Sequence, residues 1–209
     1  MRSVTLHTRF CTDMRICARV GVCLLALHAF AAQAQTVTYV LDASHTRVHW
    51  EVSHFGTSTS RGRFDDITGN LQLNASTGLG EVSISLATAS VNTGVAPLNS
   101  VLRGSYLAST EHPQAYFVAS GWRWKAGAPL EVRGELTLRG VSRPLVLRAP
   151  LLNCYSHPML KREVCGADLQ GELQRSDFGV SDGLPFIGNT VRLLISVEAI
   201  RTEPHEQAR

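Results

Sequence analysis

The sequence has no Gly-x-Ser-x-Gly elbow, no His-Glu-x-x-His and no phosphate-cradling glycine loop, so the commonest hydrolase, zinc-peptidase and nucleotide-binding signatures are missing. It has no basic stripe and no basic-aromatic interleaving of the kind that neutralises phosphates, which removes nucleic acid as a partner. Internal repeats and low-complexity linkers are also absent, and 209 residues with 44% hydrophobic content suit one domain with a real core. The expectation is a protein that is not an enzyme and that carries no cofactor and no metal.

Long apolar runs are scarce too. The one at Val20 to Ala32 is too short for a bilayer, which takes about 20 residues, and no stable membrane insertion is expected. Arg15 and Arg19 precede it and Ala32-Gln33-Ala34 follows, the pattern of a secretory signal with an A-x-A cleavage site. Residues 1–34 are therefore read as a signal peptide, with Met14 as an alternative start, and residues 35–209 as a single domain exported to the periplasm. The leader holds Arg2, Arg9, Arg15, Arg19 and Asp13, so the remaining chain is balanced in acidic and basic residues and the precursor's +3 charge belongs to the leader.

Cysteine sorts the same way. Cys11, Cys17 and Cys23 leave with the leader, and Cys154 and Cys165 stay; an even pair in an exported chain is expected to form a disulfide across the loop holding Tyr155, His157 and Pro158. Zinc held by Cys154, His157 and Cys165, with Asp168 nearby, ranks second.

What the chain does have, from Tyr39 onward, is short runs of alternating apolar and polar residues separated by Gly, Asn, Asp, Ser or Pro. Leu130, Val132, Gly134, Leu136 and Leu138 alternate with Glu131, Arg133, Glu135 and Thr137, which gives a strand one buried and one wet face. About eight such runs lie near 45–54, 60–73, 80–90, 114–124, 129–139, 142–154, 166–176 and 189–201. Only 97–107 departs, where Leu98, Val101, Leu102, Ser105 and Tyr106 fall at helical spacing. The fold class is all-β. Antiparallel strands of this number either stack as two sheets or close into a barrel wide enough for side chains or one slender ligand. Gly134, Ala167 and Gly171 fall at inward positions and are expected to leave room inside.

The stretch "DASHTRVHWEVSHFGTSTSRGRF" packs His45, His49 and His54 beside Asp42 and Glu51 like a metal centre. Strand alternation separates them: His45, Arg47, His49 and Glu51 share one face, and His54 shares the other with Val48, Trp50 and Val52. The three histidines are not expected to converge.

The same stretch, with Asp42-x-x-His45-Thr46, His54-x-Gly56 and Gly62-x-Phe64, resembles the opening of the YceI-like family. The resemblance continues in order through Leu102-Arg103-Gly104-Ser105, Pro113-x-Ala115-x-Phe117, Gly134-x-Leu136-Thr137-x-x-Gly140-Val141 leading to Pro144, Asp177-Phe178-Gly179 and the closing Val191 to Ala199 strand. It implies an exported, lipocalin-like, eight-stranded antiparallel barrel enclosing an isoprenoid, quinone or related lipid tail, with no chemistry done on the ligand. The cysteine pair is not part of that pattern. On this reading the lining residues are Val48, Trp50, Val52, Leu86, Leu102, Tyr106, Phe117, Leu136, Leu138, Ile195 and Val197, with the helix around Leu102 and Tyr106 as a cap. His54, Arg175 and Asp177 would meet a polar head group, although an Arg175–Asp177 pair at a turn is the plainer use of those two. A stress-related interaction protein, its barrel filled by its own side chains, is the alternative, and a homodimer is left open.

Overall fold

The computed structural model describes residues 36–202; the leader expected over 1–34 lies outside them. In chain order the elements are β1 (Thr36–Leu41), β2 (Arg47–His54), β3 (Ser58–Phe64), β4 (Ile67–Asn74), β5 (Leu79–Ala87), β6 (Val91–Asn92), α1 (Ala96–Val101), β7 (Gln114–Arg123), β8 (Leu130–Leu138), β9 (Val141–Ala149), β10 (Asn153–Ser156), β11 (Glu163–Gln174) and β12 (Ile187–Arg201). All pairings are antiparallel.

The sheet closes on itself. β12 pairs with β11 along one edge, from Val164↔Ile200 to Gln174↔Thr190, and with β1 and then β2 along the other. β1 and β2 thus form one interrupted stave, and β3 and β4 form the next, since β3 pairs with β2 and β4 with β1. Continuing through β5, β7, β8 and β9 back to β11 gives an eight-stave barrel whose staves follow one another in chain order. Closure shortens the open edges that could pair with another chain, with the β9–β11 seam held by the register pair Gln170↔Arg148.

The interruption between β1 and β2 is built by the sequence. Asp42 Oδ1 accepts the Ser44 N–H at 2.8 Å, an Asx turn. The carbonyl of Glu198 on β12 then bridges the gap, accepting the Asp42 N–H at 2.9 Å and the Thr46 hydroxyl at 3.3 Å. β1 itself begins before the alternation is legible, because Thr36, Val37 and Thr38 put β-branched residues on both faces. The run expected over 60–73 is two strands with a corner at Asp65, where Ser90 Oγ accepts the N–H groups of Asp65 and Asp66.

Inward alternation builds the core. Leu130 and Val132 are buried while Glu131 and Arg133 lie outside, Glu131 bonded to Arg133 at 2.6 Å and Arg148 at 2.9 Å. The expectation that inward glycines leave room needs correction. A β-carbon at Gly134 would lie 2.6 Å from Cζ of Phe117, and one at Gly171 would lie 2.7 Å from Cδ2 of Leu147. Large side chains of neighbouring strands, together with the carbonyls of Val118 and Val146, already use that space.

The expected helix is two short pieces, α1 and a π turn over Leu102–Tyr106. Asn99 ties α1 down by accepting the Thr93 N–H at 2.8 Å and its hydroxyl at 2.7 Å. Nη1 of Arg139 donates to the carbonyls of Ser105 at 3.1 Å and Tyr106 at 2.8 Å, holding the C-terminal end of the π turn.

Candidate lipid-binding cavity

Two adjoining cavities run through the barrel. The inner one, about 160 Å³, is bounded by residues such as Leu41, Ile67, Leu71, Phe117, Val132, Leu147 and Leu169, and reaches Cys165 of the disulfide. Thr46 is a polar side chain in its lining, and its hydroxyl is already bonded to the Glu198 carbonyl. Trp122 also lines it and carries a buried indole N–H with no acceptor among the described residues. The outer cavity, about 280 Å³, lies beneath α1 and the π turn. Val48, Leu86, Ala115, Leu136 and Leu193 line both, so the two cavities meet at this waist.

All the lining candidates named from sequence face one cavity or the other. Phe117, Ile195 and Val197 line the inner one; Trp50, Val52, Leu102, Tyr106 and Leu138 the outer; Val48, Leu86 and Leu136 both. Sequence reasoning did not single out Ile67, Leu71, Leu145, Leu147 or Trp122, although the same alternation marks them. Leu98 and Val101 of α1 also line the outer cavity while staying half-exposed, so this segment is both wall and surface.

The polar candidates divide. His54 and Arg175 line the outer cavity. Asp177 is exposed on the 3-10 turn Arg175–Phe178 and does not line it. The plainer expectation, an Arg175–Asp177 ion pair, is also not met: the guanidinium of Arg175 turns inward to backbone carbonyls instead. Its Nε donates to Gly188 at 2.8 Å, Nη1 to Val180 at 2.9 Å and Nη2 to Ile187 at 2.9 Å.

The histidines diverge as alternation requires. His54 faces inward, His49 is exposed, and Nδ1 of His45 bonds Oδ2 of Asp42 at 2.7 Å. Asp42 and His45 do approach Glu198 of β12, with ligand-type atoms within 4.8 Å of one another. This group belongs to the β1–β2 turn. The Ser44 hydrogen bond, with His45 behind it, pushes the Asp42 carboxyl down to about 2, and Asp42 in turn raises the His45 imidazole above its usual range.

Cys154 and Cys165 face each other across β10 and β11 and are joined in a disulfide, with α-carbons 4.0 Å apart. That removes the zinc reading. His157 is also engaged, its Nδ1 accepting the N–H groups of Met159 at 3.3 Å and Leu160 at 3.1 Å, and Oδ1 of Asp168 accepts the Ser196 hydroxyl at 2.7 Å.

No helix among the described residues is long and apolar enough to cross a membrane. In comparison with known proteins, Protein YceI of Shigella flexneri is 29% identical over 186 residues, covering 87% of this chain and 96% of the relative. A UPF0312 protein of Azotobacter vinelandii is 30% identical over 175 residues, covering 82% and 91%. Among solved structures, Burkholderia cenocepacia BcnA superposes with a TM-score of 0.65 at 18% identity, over 76% of this chain and 98% of that one. A polyisoprenoid binding domain from Saccharophagus degradans gives 0.60 at 18% identity, over 79% and 99%. With the profile of the YceI-like domain matching residues 39–199, the chain belongs to the YceI-like family.

Proposed function

We propose that this protein is an exported carrier that encloses the long apolar tail of a lipid, a polyisoprenoid or similar amphiphile, and does no chemistry on it. The observation that carries this reading is the pair of apolar cavities joined through one waist along the barrel interior. A barrel filled by its own side chains, as the interaction-protein alternative requires, would not leave this space.

The driving force is burial. Roughly 25 cal/mol is gained per Å² of apolar surface removed from water, about 0.8 kcal/mol for each methylene. A chain threaded past Val48, Leu86 and Leu136 needs no polar partner along its length, and the cavity offers almost none. The likeness to a polyisoprenoid binding domain supports the ligand class. The disulfide supports export, because such bonds persist in oxidising compartments.

The test is organic extraction of protein exported by its own host, followed by mass spectrometry. A long-chain amphiphile at near one equivalent is expected. Protein that yields none, and that ignores added polyprenols and fatty acids, would overturn the reading.

A further inference from the structure

Four surface arginines have carboxylate partners, others such as Arg139 and Arg192 reach only carbonyl or amide oxygens, and the buried arginine has no carboxylate partner either. Arg61, Arg63, Arg133 and Arg148 pair with Glu51, Asp65 and Glu131 at the surface. Arg175 is only 5% exposed, yet among the described residues no carboxylate lies within 4.0 Å of its guanidinium. A charge taken out of water is costly unless it is paired and hydrogen-bonded. Three neutral carbonyls offset part of that cost and leave the net charge standing.

The position of this charge is as unusual as its burial. Arg175 stands in the wall of the outer cavity, and its Cζ lies 5.8 Å from the centre of the Tyr106 ring, which lines the same space under the cap. Guanidinium carries five N–H groups, of which three are used here; one remains on each terminal nitrogen. Two such donors suit an anion with two acceptor oxygens. His54 and Ser60 add polar groups to this cavity, whereas the inner cavity is nearly all apolar.

We infer that Arg175 receives an anionic head group, a carboxylate or phosphate, of a lipid whose tail passes the waist into the inner cavity. The inference rests on the lipid-carrier reading and fixes the ligand's orientation: head beneath Tyr106, tail toward Cys165. Arg175 therefore has two roles, tying Val180 to Ile187 and Gly188 and supplying the positive charge at the head-group end.

The experiment compares acids with their matching alcohols on the delipidated full-length mature protein: oleate against oleyl alcohol, and geranylgeranyl monophosphate against geranylgeraniol. Binding is read by calorimetry below each lipid's aggregation concentration. At least one acid is expected to bind tenfold or more tighter than its alcohol, and which acid wins separates carboxylate from phosphate. In folded Arg175→Met the ratio of acid to alcohol affinity is expected to fall below threefold. Because that variant forfeits three backbone bonds and is at risk of not folding, the wild-type protein labelled with ¹⁵N-arginine supplies a second readout. The buried Nε–H signal of Arg175 should shift with the preferred acid and hold with its alcohol. Equal binding of acids and alcohols would overturn the head-group site while leaving the carrier intact, and so would a preference that persists in folded Arg175→Met or an unmoved Arg175 signal. Failure of all four lipids to bind would overturn the carrier reading together with it.

Discussion

The ring of Phe117 lies over Gly134 on the neighbouring strand, so close that a β-carbon at position 134 would sit 2.6 Å from Cζ. Phe117 lines the inner cavity, so the glycine sets where that ring stands and how much of the lumen it fills. Indole rings approach two other inward glycines in the same way, Trp50 at Gly62 and Trp122 at Gly80.

Gly134→Ala is accordingly expected to cost roughly 1–3 kcal/mol through overpacking. The measurement is the urea midpoint beside that of Gly104→Ala, where nothing lies within 4 Å of the added carbon. Gly104 sits in a helical turn, so its replacement should be neutral or slightly stabilising. Equal midpoints for the two variants would mean that the Phe117 ring and the Val118 carbonyl both give way freely.

The disulfide should contribute about 3 kcal/mol by the chain-entropy account for a loop of this size. Mature protein in denaturant is expected to show no free thiol before reduction and two after it. The double variant Cys154→Ala/Cys165→Ala should lower the urea midpoint while leaving a β spectrum, since β10 retains its ladder to β11.

The Asp42–His45 contact should make stability depend on pH from both sides. Asp42 is depressed from 3.8 to about 2, so its contribution is present above the unfolded value and is lost as pH falls through the folded one. For a group at the surface this amounts to on the order of 1 kcal/mol after screening. His45 is raised, so its share is present below its ordinary range and is lost as pH rises through the folded value. Asp42→Asn is expected to flatten both limbs of a plot of urea midpoint against pH. An unchanged acid limb would assign the loss to other carboxylates.

Strand periodicity made the cavity-facing strand positions legible, because an inward residue on a closed barrel has nowhere to point but the lumen; Trp50, Leu136 and Ile195 were readable for that reason. The divergence of His45, His49 and His54 was legible on the same ground. The partner of Arg175 was not. Asp177 stands two residues away in sequence, but the 3-10 turn carries its side chain to solvent while Arg175 reaches carbonyls that come close only through the return of Val180–Gly188. The crowding at Gly134 was equally hidden, since it depends on the diagonal reach of Phe117 across strands and not on alternation along one of them. The Asp42–Glu198 approach required the register of β12.

Ala115 is a small inward residue at the waist between the two cavities. It is 5% exposed and lines both cavities at the waist, beside Val48, Leu86, Leu136 and Leu193. A larger side chain there projects into space that a threaded tail would need, whereas at Gly134 it meets the Val118 carbonyl and the Phe117 ring first. Ala115→Leu is expected to fold, at a cost of about 1–3 kcal/mol if the waist is tight and less if the lumen absorbs the added methyls. Lipid recovered from the variant should shift to shorter chains or fall several-fold, because the inner cavity is cut off while the outer one stays open. Ala167→Leu, at the wall of the inner cavity alone, should shorten the preferred chain without abolishing binding. Mass spectrometry of lipid extracted from the three proteins checks this, and identical chain-length distributions would show that the tail does not pass Ala115.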